Sequence, residues 1–142
     1  MAPLAPMADR SFATRPRVCS SVRMDDSAFG LVERSDLIHR TWGVSCDAWE
    51  LLATADLAVI AESMPPGSSE RAHHHERANQ FFYVLSGELT VEFEDVTVTA
   101  GPRQGVRVPA GLVHKARNEG PHPVEFLAIA GPSNAEDRVN HL

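Results

Sequence analysis

Beyond residue 30 the chain is a succession of short apolar runs that alternate with polar positions at period two. "AWELL" and "LAVIAESM" read as strands separated by "ATAD", the second stopped by "PPGSS". "QFFYVLSGELTVEFED" reads as one long strand broken at Ser86-Gly87 and ending in a tight turn near Asp95. "VTVTAG", "GVRVPAG", "VHKARN" and "VEFLAIAG" follow, each closed by Gly, Pro or Asn. In an extended chain successive side chains point to opposite sides, so such runs cover one face of a sheet. Short β-branched runs punctuated by ten prolines and nine glycines predict an all-β barrel or sandwich. "QFFYVLSG" carries bulk on both faces, which places it between layers rather than at an open edge. Helix signals are confined to "SAFGLVERSDLI" and "SNAEDRV".

Length and composition narrow this picture without redirecting it. With 142 residues the chain can bury one core. Residues 1–30 are expected to form a flexible N-terminal arm and 31–142 a single β-barrel domain. The first 24 residues hold four arginines against one acid and show no periodic apolar face, a composition unable to offset its ordering entropy. A net charge of −6, with no basic stripe, argues against nucleic-acid binding. No apolar run approaches membrane-spanning length, so no membrane partner is expected. Cys19 and Cys46 form no CxxC pair and no secretory h-region is evident, which reads as free thiols in a cytoplasmic protein.

The chemistry concentrates in "GSSERAHHHERANQFFYVLSGE", Gly67 to Glu88. If "AHHHE" is extended, His73 and His75 share one face and His74 takes the other. Two imidazoles about 7 Å apart along a strand can reach one cation. An isolated His-x-His is more often a solvated strand end, but two further groups change the balance. Gln80 opens the next strand with a carboxamide oxygen, and His114 follows the Pro-Ala-Gly turn in "PAGLVHKARN". His39, His122 and His141 have no partners at ligand spacing and read as surface histidines.

These residues resemble the cupins. The first cupin motif runs Gly, five residues, His-x-His, three or four residues, Glu, six residues, Gly. Gly67, His73, His75, position 80 and Gly87 match every spacing, with Gln80 standing where the family usually has Glu. The second motif ends Pro-x-Gly-x-x-His-x-x-x-Asn, matched by Pro109, Gly111, His114 and Asn118. Its leading glycine falls on Arg103, so that turn is expected to be altered. The resemblance implies a double-stranded β-helix, or jelly-roll, barrel. It also implies one divalent transition metal (Fe, Mn, Zn, Ni, Co or Cu) held inside by His73, His75, Gln80 and His114, and often a homodimer.

A neutral glutamine in place of a glutamate leaves the ion its full positive charge, which favours an anionic ligand. Phe82 and Val84 share parity with Gln80 and are expected, with Phe126, to bound a small-molecule pocket. Phe81, Tyr83 and Leu85 face outward and call for cover from a second copy. Trp42 and Trp49 are further candidates for a wall. Arg107, Lys115 and Arg117 are candidates to hold an anion, and Glu76 to act as a base. The expected function is a metal-dependent enzyme, of dioxygenase type or an isomerase or lyase. The alternative is a non-catalytic binding or sensing module, with the metal site decayed at Gln80.

Overall fold

A computed structural model describes residues 29–133 and 136–142. The N-terminal arm lies almost entirely outside the described residues. Eleven strands follow one short 3-10 turn, Arg34–Asp36: β1 His39–Trp42, β2 Cys46–Ala53, β3 Ala58–Met64, β4 His73–His75, β5 Asn79–Ser86, β6 Leu89–Phe93, β7 Thr97–Ala100, β8 Gly105–Val108, β9 His114–Arg117, β10 Val124–Gly131 and β11 Arg138–Asn140. They form two antiparallel sheets, one of order β1-β2-β3-β10-β5-β8 and one of order β11-β4-β9-β6-β7. From β3 onward the chain passes repeatedly from one sheet to the other, which is the double-stranded β-helix.

Alternation explains which side chains meet between the sheets. Along β10 the residues Val124, Phe126, Ala128 and Ala130 are buried and those between them are half-buried. Phe82 and Val84 from β5, with Val106 and Val108 from β8, close the same core against Leu89, Val91 and Ala116 of the second sheet. Phe82 and Phe126 meet edge to face with ring centroids 5.8 Å apart, a geometry aromatic quadrupoles favour. The outward side of β5 is less covered: Phe81 and Tyr83 are half-buried and Leu85 is exposed.

Two expectations are corrected. "QFFYVLSGELTVEFED" is two strands in different sheets, because Gly87, in the left-handed region at φ +76°, turns the chain out of the first sheet. The short helical turn expected within "SAFGLVERSDLI" is the 3-10 turn Arg34–Asp36 among its described residues. The end of "SNAEDRV" is extended rather than helical, since Arg138–Asn140 pairs with His73–His75 and satisfies the free edge of β4.

The altered turn at Arg103 keeps the backbone that a glycine would adopt, at φ +65°. It is pinned by Arg103 N–H donating to Val84 O at 2.9 Å and Gln104 N–H donating to Gly101 O at 3.0 Å. Gly87 carries a second constraint, because a Cβ there would lie 2.5 Å from Pro123 O and 2.9 Å from Val124 Cα. At Gly67 the φ is +80° but nothing lies within 4 Å of an added Cβ. Gly67→Ala should therefore cost about 1–2 kcal/mol of backbone strain, whereas Gly87→Ala should cost about 3 kcal/mol or more. Urea unfolding of the two variants measures the difference.

Candidate metal centre

The strand β4 brings His73 and His75 to the interior, as a period of two requires, and sends His74 outward to hydrogen-bond His141 at 2.7 Å. His141 is thus partnered, though not to the inner histidines. His39 also has partners, Asp47 at 2.8 Å and the Trp49 ring, whose other contact is the Arg34 guanidinium. On the neighbouring β9, His114 stands directly opposite His73 in register. Gly111 N–H donates to His75 O at 2.7 Å and Ala110 N–H to Asn79 Oδ1 at 3.0 Å, which clamps the Pro-Ala-Gly turn to the His-x-His segment. Asn118, fully buried, donates to Met64 O and His122 O and accepts from Gly120 N–H. That side chain fixes the exit of the strand carrying His114.

His73, His75 and His114 are 2 %, 4 % and 1 % exposed, and each offers a ligand atom within 4.8 Å of the others. Each Nδ1 is already engaged. That of His73 donates to Arg71 O at 2.8 Å and that of His114 to Leu112 O at 2.9 Å. The Nδ1 of His75 donates to Asp137 Oδ1 at 2.8 Å. Committing Nδ1–H in this way fixes the tautomer and leaves every Nε2 lone pair free for a cation. Burial pushes the His73 pKa down to about 3 and lowers that of His114, so both rings stay neutral in the range where a metal can bind.

Two buried atoms of this region, His114 Nε2 and Gln80 Oε1, have no hydrogen-bond partner. Buried polar atoms without partners are uncommon in native proteins. A cation accepting both lone pairs, with His73 and His75, satisfies them together, so the donor set fits a divalent metal.

Sequence reasoning missed Asp137. Its carboxylate also accepts from Arg77 N–H at 3.0 Å and Ala78 N–H at 2.9 Å. Burial pushes this carboxyl up, but those two amides and His75 outweigh it and hold its pKa below the usual value. It therefore remains ionised and orients His75.

His73 and His75 border a cavity of about 320 Å³ lined also by Gln80, Phe82, Phe126, Glu62, Glu70, Arg40 and Arg138, and His114 stands behind them, 1 % exposed. Val84, expected on its wall, lies deeper in the apolar core. Arg107 is exposed, Lys115 borders a different groove, and Arg117 pairs with Glu92 and Glu119. The arginines at the cavity are Arg40 and Arg138 instead. Glu76 is exposed, whereas Glu62 and Glu70 reach inward. Burial, reinforced by the Glu70 charge, raises Glu62 from 4.5 to about 8 against the pull of Arg138. Burial raises Glu70 to about 7 against the Ala116 amide and Arg138.

The comparisons with known proteins agree with this architecture. The family model described as "Cupin domain" matches residues 61–130, which contain both motifs. The chain belongs to the cupin superfamily. Among solved structures, a double-stranded β-helix protein of Klebsiella pneumoniae superposes with a TM-score of 0.67 at 20% identity, covering 81% of this chain and 99% of that one. The polyketide cyclase RemF of Streptomyces resistomycificus superposes with a TM-score of 0.69 at 21% identity, covering 81% and 87%. In sequence, the chain is 27% identical over 79 residues to "Polyketide synthase CurC" of Streptomyces cyaneus, across 56% of this chain and 51% of that protein. The chain spans about half the length of the curated relatives it matches.

Two outcomes follow from the geometry. Asp137→Ala should lower metal affinity by about 10–100-fold, while His74→Ala should leave it nearly unchanged; metal titration into the chelated protein measures both. The carboxyls also set a pH dependence. Between 4.5 and about 8 folded Glu62 holds a proton that the unfolded chain has released, so stability falls as pH rises through that window. Between 6.5 and about 3 neutral His73 acts oppositely, and its contribution is lost as pH falls. In the metal-free protein Glu62→Gln should therefore gain stability over the wild type progressively from pH 4.5 to about 8, as measured by chemical unfolding at a series of pH values.

Proposed function

We propose that this cupin is a metal-dependent enzyme acting on a small anionic oxygen compound, an enolate or a carboxylate. His73, His75, Gln80 and His114 would hold the divalent ion. The observation that carries this reading is the pairing of three buried imidazoles, each with its Nδ1 engaged, with the unpartnered Gln80 Oε1. A bound divalent ion would supply Lewis acidity, polarising a carbonyl or favouring its enolate.

The chain's own residues do the rest. Arg40 and Arg138 at the cavity mouth attract an anion and orient its charged end. Phe82 and Phe126 form an apolar wall that limits water beside the histidines. Neutral Gln80 contributes an oxygen without cancelling positive charge. The likeness to CurC favours substrates with the 1,3-dicarbonyl or phenolic oxygens of polyketides. Isomerase or lyase chemistry is favoured over dioxygen insertion because it needs only Lewis acidity beside a proton-exchanging carboxyl.

An oxygen electrode beside product analysis separates these chemistries, using the metal-loaded protein with a panel of β-diketones, phenolates and keto acids. Turnover without oxygen consumption is expected. Oxygen consumed in step with turnover would place the protein among the dioxygenases. Binding with no turnover of any compound would make it a binding module.

Gln80→Glu provides a sharper check. It places a charged donor at nearly the same volume, so metal affinity should rise while affinity of the holo-protein for azide falls. Paired titrations of metal and azide on both variants test this opposition.

A further inference from the structure

Glu62 stands on β3, directly across from Phe126 of β10 in register, and lines the cavity opposite β4, which carries His73 and His75. It is also shared between spaces. Glu62, Glu70 and Arg138 line both the histidine cavity and an adjoining outer cleft of about 410 Å³ bordered by Trp42, Ser69 and Asn140. These three side chains therefore stand between the two spaces. Two of them are anchored. Glu70 accepts from Ala116 N–H at 2.8 Å, and Arg138 donates to Asn140 Oδ1 at 2.9 Å while lying 3.7 Å from Glu70. Glu62 makes no ion pair with any described residue.

We propose that Glu62 is the proton-exchanging residue of the cavity. Its carboxyl passes a proton to, or takes one from, an anionic ligand held at the histidines, and re-equilibrates with solvent through the outer cleft. In the donating direction the Glu62 O–H bond breaks, an O–H or C–H bond forms on the ligand, and the electron pair stays on the carboxylate. The reverse direction restores it. The inference rests on the metal-centre reading above and adds to it the group that supplies the proton.

The groups facing Glu62 are Cys46 from β2, Arg40 from β1, Glu70, Arg138 from β11, and His73 and His75 across the cavity. Among them the neighbouring Glu70 charge opposes ionisation of Glu62 and Arg138 favours it, while burial is the largest influence and opposes it. A carboxyl that exchanges its proton near neutral pH is matched to general acid–base work. An anion arriving beside it raises its proton affinity further.

The test uses the full-length protein loaded with nickel, with pyruvate as the probe, in calorimetric titrations run in two buffers of different ionisation enthalpy. Near pH 8 the wild type should take up a substantial fraction of a proton per pyruvate bound, and near pH 6 almost none. Its pyruvate affinity should fall about tenfold between pH 7 and pH 9. Glu62→Gln should bind nickel normally, lose most of the proton uptake and show a flatter affinity profile; Glu62→Asp should recover part of both. Hydroxide displaced from the metal would consume a proton in every variant, so the difference between variants isolates Glu62. If nickel is bound and Glu62→Gln takes up as many protons as the wild type, the inference falls alone. It also falls if the wild type shows no buffer dependence or no pyruvate binding. If the wild type binds no metal, the metal-centre reading falls and takes this one with it.

Discussion

A buried imidazole keeps a lone pair for a ligand only if its other nitrogen has a fixed acceptor for its proton, and this requirement organises much of the barrel. Arg71 O and Leu112 O each lie two residues before the histidine they serve. Those bonds form as soon as the local chain is extended with a turn ahead of it. His75 lacks such a local acceptor and uses Asp137 instead, which ties the C-terminal segment to the first motif. The pairing of β11 with β4 is thus part of the site, since it carries Asp137 and Arg138 to their places.

The charges around the cavity balance in an instructive way. Two carboxyls, two arginines and two histidines line one small space, with His114 beside them. Desolvation drives the two carboxyls and His73 toward their neutral forms, which leaves His73 unprotonated and Glu62 protonated near neutral pH. The arginines cannot neutralise, so with the Glu62 charge suppressed by burial the balance of the cavity shifts toward positive. Adding a divalent cation with a neutral glutamine donor increases that bias, which suits an anion.

Much of this was legible in the sequence. Period two assigned His73, His75, Gln80 and Phe82 to the interior, and the two motifs joined His114 to them although it lies on another strand. Parity gives a side chain's face but not its depth. Val84 shares the face of Phe82, yet two residues further along the strand it packs in the apolar core instead of bordering the cavity. The long-range partners were not legible. Asp137 is 62 residues from His75, in a segment whose composition reads as helical. Glu62 and Glu70 look like ordinary surface carboxylates until the sheets close over them. Arg103 shows the complementary case, with a motif glycine gone and its left-handed backbone kept.

The central claim is that His73, His75, His114 and Gln80 hold one metal together, and X-ray absorption at the metal edge of the zinc-loaded protein addresses it directly. The account predicts a shell of nitrogen and oxygen donors, with the nitrogens at about 2.0–2.1 Å and outer-shell scattering from three imidazole rings. It also predicts one oxygen fewer from the protein in Gln80→Ala. A sulfur donor, scattering from fewer than three imidazoles, or a spectrum unchanged by Gln80→Ala would contradict it.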